Sequence, residues 1–188
     1  MIKEPQKKQG IGIVKKQGIL EKQAKFVYLA LGSNLGNRKT NIEKAIQLLH
    51  KYNVNVIKSS SYYETKSWPN INFPKYFNIV LKVKTTLKPF VLLDRIKLIE
   101  KKLGRKSTKR NYPRICDIDI LDYDKKILNL KTKKFNLQIP HPRLQFRNFV
   151  LVPLFEVDKK WKHPKLKENV ANLILKNDIN DLRSVKFI

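Results

Sequence analysis

Cysteine occurs once in this chain of 188 residues, and acidic side chains number only 15. The lone Cys116 excludes an intrachain disulfide framework and fits a reducing compartment, so a cytoplasmic location is expected. One cysteine and three scattered histidines (His50, His141 and His163) leave no set of ligands for a structural zinc site. A bound metal is therefore expected to take oxygen ligands, with magnesium the leading candidate. No apolar run is long enough to span a bilayer, and the start of the chain lacks the apolar core of a secretory leader. Neither a membrane association nor export is expected.

What the chain has in excess is positive charge. Against the 15 acids stand 41 lysines and arginines, a formal net charge of +26. Such a charge can be the footprint of nucleic-acid binding. Here lysine is spread over nearly every polar stretch, and it is overused together with asparagine and isoleucine, as a compositional bias would produce. A solvated basic surface is the favoured reading, and nucleic acid is not an expected partner.

Residues 1–25 carry seven lysines and no sustained periodicity, and are expected to form a basic disordered tail. Residues 26–188 are expected to form one domain. The run "FVYLALGS" (26–33) is apolar enough for a strand buried on both faces. Asn37 can cap a helix whose apolar face is Ile42, Ala45, Ile46 and Leu49. Two further strands are expected at 55–65 and 76–85. Pro89 then opens a helix bearing Leu92, Ile96, Ile99 and Leu103 on one face, which Gly104 ends. A strand over "ICDIDIL" follows. The order β-α-β-β-α-β predicts a ferredoxin-like α/β (α+β) fold, an antiparallel sheet with both helices on one face. Beyond it the pattern suggests a small hairpin around 122–128, a helix near 146–155 and a C-terminal helical extension near 167–176.

The most unusual feature lies in "PRICDIDILDYD" (113–124). Alternation sends Cys116, Ile118 and Ile120 to one face and Asp117, Asp119 and Leu121 to the other. Two carboxylates two residues apart, about 7 Å at Cα, share a face and repel each other. An arbitrary D-x-D would simply meet solvent. This one follows "KKLGRKSTKRNYPR" (101–114), a loop with seven basic residues and no acid. Acids that can recruit magnesium beside a cationic loop suit a polyphosphate substrate. "LGSNLGNR" (31–38) has neither the G-K-[ST] ending of a P-loop nor a dinucleotide fingerprint, and its glycines Gly32 and Gly36 read as a tight strand-to-helix turn. No Ser/His or Cys/His pair suggests a covalent mechanism.

Several motifs in order resemble 6-hydroxymethyl-7,8-dihydropterin pyrophosphokinases of folate biosynthesis. They are "ALGSNLGNR", "SSYYET", "PKYFNIV", Glu100 with Arg105, "PRICDIDIL" and "IPHPRLQFRNFVLVPLFEV", running from about Phe26 to Val157. The resemblance implies a ferredoxin-like fold and transfer of pyrophosphate from ATP to the pterin hydroxymethyl group, with release of AMP. Asp117 and Asp119 would hold two magnesium ions. Arg105 and Arg114 match catalytic, phosphate-contacting arginines. Tyr76 and Phe149 match an aromatic pair around the pterin, with Asn78 and Thr65 at its hydrogen-bonding edge. Glu100, Arg114, His141 and Arg147 match ATP-contacting positions, although Glu100 could instead be a surface partner of Lys97. The family reading implies small-molecule substrates and a monomer. The chain departs from the family pattern at Asn111, where many members have tryptophan, and at Tyr112, where a small residue is usual. It also has Asn136 in place of a basic residue, and its loop 66–75 lacks the usual glycine, a region Trp68 is expected to fill.

Overall fold

The computed structural model describes residues 23–105, 111–132 and 136–188. Apart from its last three residues, the tail expected over 1–25 lies outside the described residues, as does the middle of the cationic loop. The element order is β1 (Lys25–Ser33), α1 (Arg38–Lys51), β2 (Val54–Ser59), β3 (Tyr63–Thr65), β4 (Tyr76–Thr85), α2 (Pro89–Lys102), β5 (Asp117–Tyr123), β6 (Leu128–Lys131), β7 (Asn136–Ile139), α3 (Asn148–Val157), α4 (Val170–Leu175), α5 (Ile179–Arg183) and β8 (Lys186–Phe187). β5, β1, β4 and β3 lie side by side, with β2 also on β4 and β8 on the far edge of β3. The pairings of β1 with β4 and β5, and of β4 with β2 and β3, are antiparallel. This is the ferredoxin-like arrangement that the element order predicts.

Two apolar layers sandwich the sheet. Val27, Leu29 and Leu31 of β1 point toward α1 and α2, joining Ile42, Ala45, Leu49, Leu92, Ile96 and Ile99. Tyr28 of the same strand points the other way, toward Leu144, Val150, Leu151 and Leu154 at and within α3. β1 is thus buried on both faces, as its unbroken apolar run requires. Asn37 caps α1 by accepting from the Thr40 amide at 3.0 Å. Pro89 occupies the first turn of α2, and Gly104 beyond it has φ +93°.

Two elements and one glycine differ from the sequence reading. The strand expected over 55–65 is two strands, because Ser60 and Ser61 interrupt it. Ser60 takes the Val80 amide on its hydroxyl at 2.9 Å, and Ser61 binds Glu156 of α3 through both its amide and its hydroxyl. Such side chains compete with ladder bonds. The hairpin expected around 122–128 is a turn only, with Asp124 and Lys125 at positive φ. The hairpin proper pairs β6 with β7. Gly32 lies within β1 rather than in a turn, while Gly36, at φ +60°, does turn the chain.

A bulge in β5 turns Asp122 inward. Ile120 pairs with Leu29 and Asp122 with Tyr28, so the register slips at Leu121. Leu121 and Asp122 are both buried, Leu121 in the layer beneath α3 and Asp122 as acceptor of Trp161 Nε1–H at 2.8 Å. Cys116, Ile118 and Ile120 face the helices α1 and α2, as the alternation demands. Burial, then the Glu100 and Asp117 carboxylates, push the Cys116 thiol up to about 12. Iodoacetamide at about pH 8 should therefore label the folded protein at least ~100-fold more slowly than the urea-unfolded chain, read by intact mass. Equal rates would contradict this burial.

Candidate active site

The site forms on the α3 side of the sheet, where one cross-strand row runs Asp117, Gly32, Asn78, Tyr63 and the next pairs Asp119 with Ala30. Small residues at 30 and 32 leave this surface open between the flanking strands. A Cβ on Gly32 would stand 3.1 Å from Asn78 Oδ1 and 3.4 Å from Tyr76 Cδ1. Gly32 is there for want of a side chain, and the sequence reading missed that role.

Each aspartate meets cations. Asp117 accepts from Arg105 at 2.7 Å on one oxygen and from Arg114 at 2.8 Å on the other. Burial would raise its pKa, but the two guanidinium groups outweigh it and hold the carboxyl below the ordinary range. Asp119 accepts from Arg147 at 3.2 Å, and His141 Nε2 lies 3.8 Å away. Burial lowers the His141 pKa despite Asp119, so the imidazole is neutral near pH 7. Its Nδ1 accepts from the Arg143 amide at 3.2 Å.

Glu100 is 1% exposed, and the alternative of a surface residue is overturned. It does pair with Lys97, at 2.9 Å. Its other oxygen accepts from the Ile118 amide at 3.0 Å and forms a close ion pair with Arg105. Glu100 therefore ties α2 to the strand that carries both aspartates. Burial raises its pKa.

Beside the acids lies a polar recess. Asn78 donates to Thr65 Oγ1 at 2.8 Å, and both residues are buried. Tyr76 stands two residues before Asn78, and Phe149 comes from α3, which packs over β4. The Arg147 guanidinium lies 5.5 Å from the Phe149 ring centroid. Trp68, in the loop 66–75, is 72% exposed. All eleven residues singled out from the sequence thus fall on β3, β4, β5, the end of α2 or its following loop, and the segment from His141 into α3. A second residue that sequence reasoning passed over is Asn34, just beyond β1, whose amide is buried among loop segments.

Asp117 and Asp119 are two carboxylates that could hold a divalent cation. Among the described residues no cluster of three or more His, Cys, Asp or Glu forms. Two carboxylates on one face nevertheless fit magnesium, which commonly takes one or two protein carboxylates and completes its shell with substrate phosphates and water.

The sequence model of the 7,8-dihydro-6-hydroxymethylpterin-pyrophosphokinases (HPPK) matches residues 28–159. The chain belongs to the HPPK family. A 2-amino-4-hydroxy-6-hydroxymethyldihydropteridine pyrophosphokinase of Aquifex aeolicus is 43% identical over 138 residues, 73% of this chain and 83% of that protein. The Bacillus subtilis protein of the same name is 42% identical over 70% of this chain and 77% of its own length. The folic acid synthesis protein fol1 of Pneumocystis carinii is 38% identical over 92% of this chain, which spans only 22% of that longer protein. In structure, the chain is similar to wild-type Plasmodium falciparum HPPK-DHPS solved with pteroate, with a TM-score of 0.68 over 82% of this chain and 44% of that one. At 18% identity that likeness bears on the fold alone. HPPK enzymes use ATP as co-substrate, and among the described residues no helix is long and apolar enough to cross a membrane.

Proposed function

We propose that this chain transfers pyrophosphate from ATP to the hydroxymethyl oxygen of 6-hydroxymethyl-7,8-dihydropterin, in folate synthesis. The observation that carries the reading is the pair Asp117 and Asp119 on one sheet face, each already engaged by arginine, beside the recess of Asn78 and Thr65. The pterin oxygen bonds to the β-phosphorus, the bond from that phosphorus to the oxygen on the α-phosphate breaks, AMP leaves and the hydroxyl proton is released. No protein nucleophile takes part.

The residues divide this work. Asn78 and Thr65 read the polar edge of the pterin, an amide being able to donate and accept at once. Tyr76 and Phe149 supply flat faces for its ring. Arg105, Arg114 and Arg147, with neutral His141, face the phosphate oxygens, and Glu100 orients Arg105 from below. Asp117 and Asp119 would hold two magnesium ions, whose chemistry is to neutralise phosphate charge. Positioning and electrostatics suffice for such a reaction. Residues 26–188 serve as one domain, monomeric and cytoplasmic, and nucleic acid is not a partner.

Gly32→Ala should raise the KM for the pterin about tenfold, because the new methyl presses on Asn78 and Tyr76, while the KM for ATP stays near the parent value. Steady-state kinetics with each substrate varied check this, and equal changes in both would contradict it. The reading as a whole is tested by AMP release from ATP, magnesium and the hydroxymethyl pterin, followed by a coupled assay. Pterin-dependent AMP is expected. ATP hydrolysis to ADP, or salt-sensitive RNA binding without AMP release, would overturn it.

A further inference from the structure

Asn34 is 1% exposed, and every hydrogen-bonding group of its amide is used. Nδ2 donates to Ser67 Oγ at 3.2 Å and to the Pro74 carbonyl at 3.1 Å. Oδ1 accepts from the Arg114 backbone N–H at 2.7 Å, and the Asn34 backbone N–H donates back to the Arg114 carbonyl at 3.1 Å. Ser67 Oγ in turn donates to the Pro74 carbonyl at 2.6 Å, closing the base of the loop 66–75. One side chain thus joins three segments: the end of β1, both feet of that loop, and the residue whose guanidinium grips Asp117. One residue along from Pro74 is Phe73, and two along from Arg114 is Tyr112. Their rings meet at 5.5 Å between centroids, tilted by 51°. The contact is a second link between the same two segments that Asn34 joins.

We propose that Asn34, together with the Phe73–Tyr112 ring contact, is a positioning unit that fixes Arg114 and the loop 66–75, which runs between Thr65 and Tyr76, against each other. The inference rests on the function proposed above. It also accounts for Tyr112, because a small residue there would lose the ring contact with Phe73 that links the two segments. A buried amide with all its partners satisfied is rigid, and misplacement of a phosphate-facing arginine by about 1 Å costs roughly 10²-fold in rate.

Hydrogen–deuterium exchange on the full, ligand-free chain reads the unit without catalysis. Asn34→Ala should speed exchange of the Arg114 amide, and of residues 66–75, at least ~10-fold. In the AMP-release assay the same variant should lose roughly 10²-fold in kcat and show a raised KM for the pterin. Ser67→Ala removes only the loop-side bond, so it should raise the pterin KM with kcat within about threefold of the parent. Tyr112→Gly should speed exchange in both segments, and Tyr112→Phe, which keeps the ring, should not. Parental exchange at Arg114 in Asn34→Ala overturns the proposal, and so does a lowered Tm with kcat and both KM values intact. If Asn34→Ala does not fold, Ser67→Ala and Tyr112→Gly decide, and parental exchange and KM values in both overturn it. Failure of the functional reading shows separately, as no AMP release from the unmodified chain.

Discussion

Asp117→Asn should lower pterin-dependent AMP release by roughly 10³-fold or more while leaving the fold intact. Asp117 is gripped by two arginines, at 2.7 Å and 2.8 Å. The asparagine keeps the shape but removes the charge that orients Arg105 and Arg114 and that a divalent cation requires. Stability should fall only modestly, because the arginines stabilise the charged Asp117 carboxyl but Arg105 keeps Glu100 as a partner. Asp119→Asn should act in the same direction, through Arg147 and His141. The check is AMP release at saturating ATP and pterin, with thermal melts alongside. Turnover within tenfold of the parent in either variant would sink the assignment of these two residues.

Glu100 carries the second large effect, and it is an effect on stability as well as rate. Glu100→Ala strips the acceptor from the buried Ile118 amide and one partner from Arg105 and Lys97. Removing one member of a buried pair usually costs 3–5 kcal/mol; about 3 kcal/mol is expected here, since Arg105 keeps Asp117 and Lys97 reaches water. For a chain of this size that lowers Tm by roughly 6–12 °C. Glu100→Gln keeps an acceptor for Ile118 and should cost less, yet it loosens Arg105 and lowers AMP release. The pH dependence separates the two contributions. Burial raises the folded-state pKa of Glu100, so its contribution to stability is complete below the unfolded glutamate pKa and fades as pH rises through the folded value. A glutamine does not titrate. The Tm of Glu100→Gln should therefore gain on the parent as pH climbs from the ordinary glutamate range toward neutrality. A difference that shrinks with rising pH would contradict the burial of that carboxylate.

Much of this protein was legible from residue patterns that live inside one element. Period-two alternation placed Asp117 and Asp119 on one face and Cys116, Ile118 and Ile120 on the other, and the structure keeps both sets. Spacing by three and four marked the buried stripes of α1 and α2, and Asn37 and Pro89 marked their starts. Ordered motifs added the family. Glu100 shows where such patterns end: it stands one position past an apolar stripe, so its sequence position suits a surface ion pair. Only the packing of α2 beneath β5 buries it against Ile118. Gly32 carries no mark that distinguishes a turn from a floor, and the difference is made by Tyr76 and Asn78, more than 40 residues away in sequence.

Residue order alone was enough for β1, α1, β4, α2 and β5, their succession and the chemistry available: two acids, a run of bases, an aromatic and amide set. Period and capping are local properties, set by backbone geometry within a few residues. Tertiary packing selected which cation holds which acid, turned Asp122 toward Trp161 through a bulge at Leu121, and bound Arg114 to the loop 66–75 through Asn34. Those contacts join segments that only the order of strands in the sheet brings together. Their strength comes from burial, which no stretch of sequence possesses until the chain has folded around it.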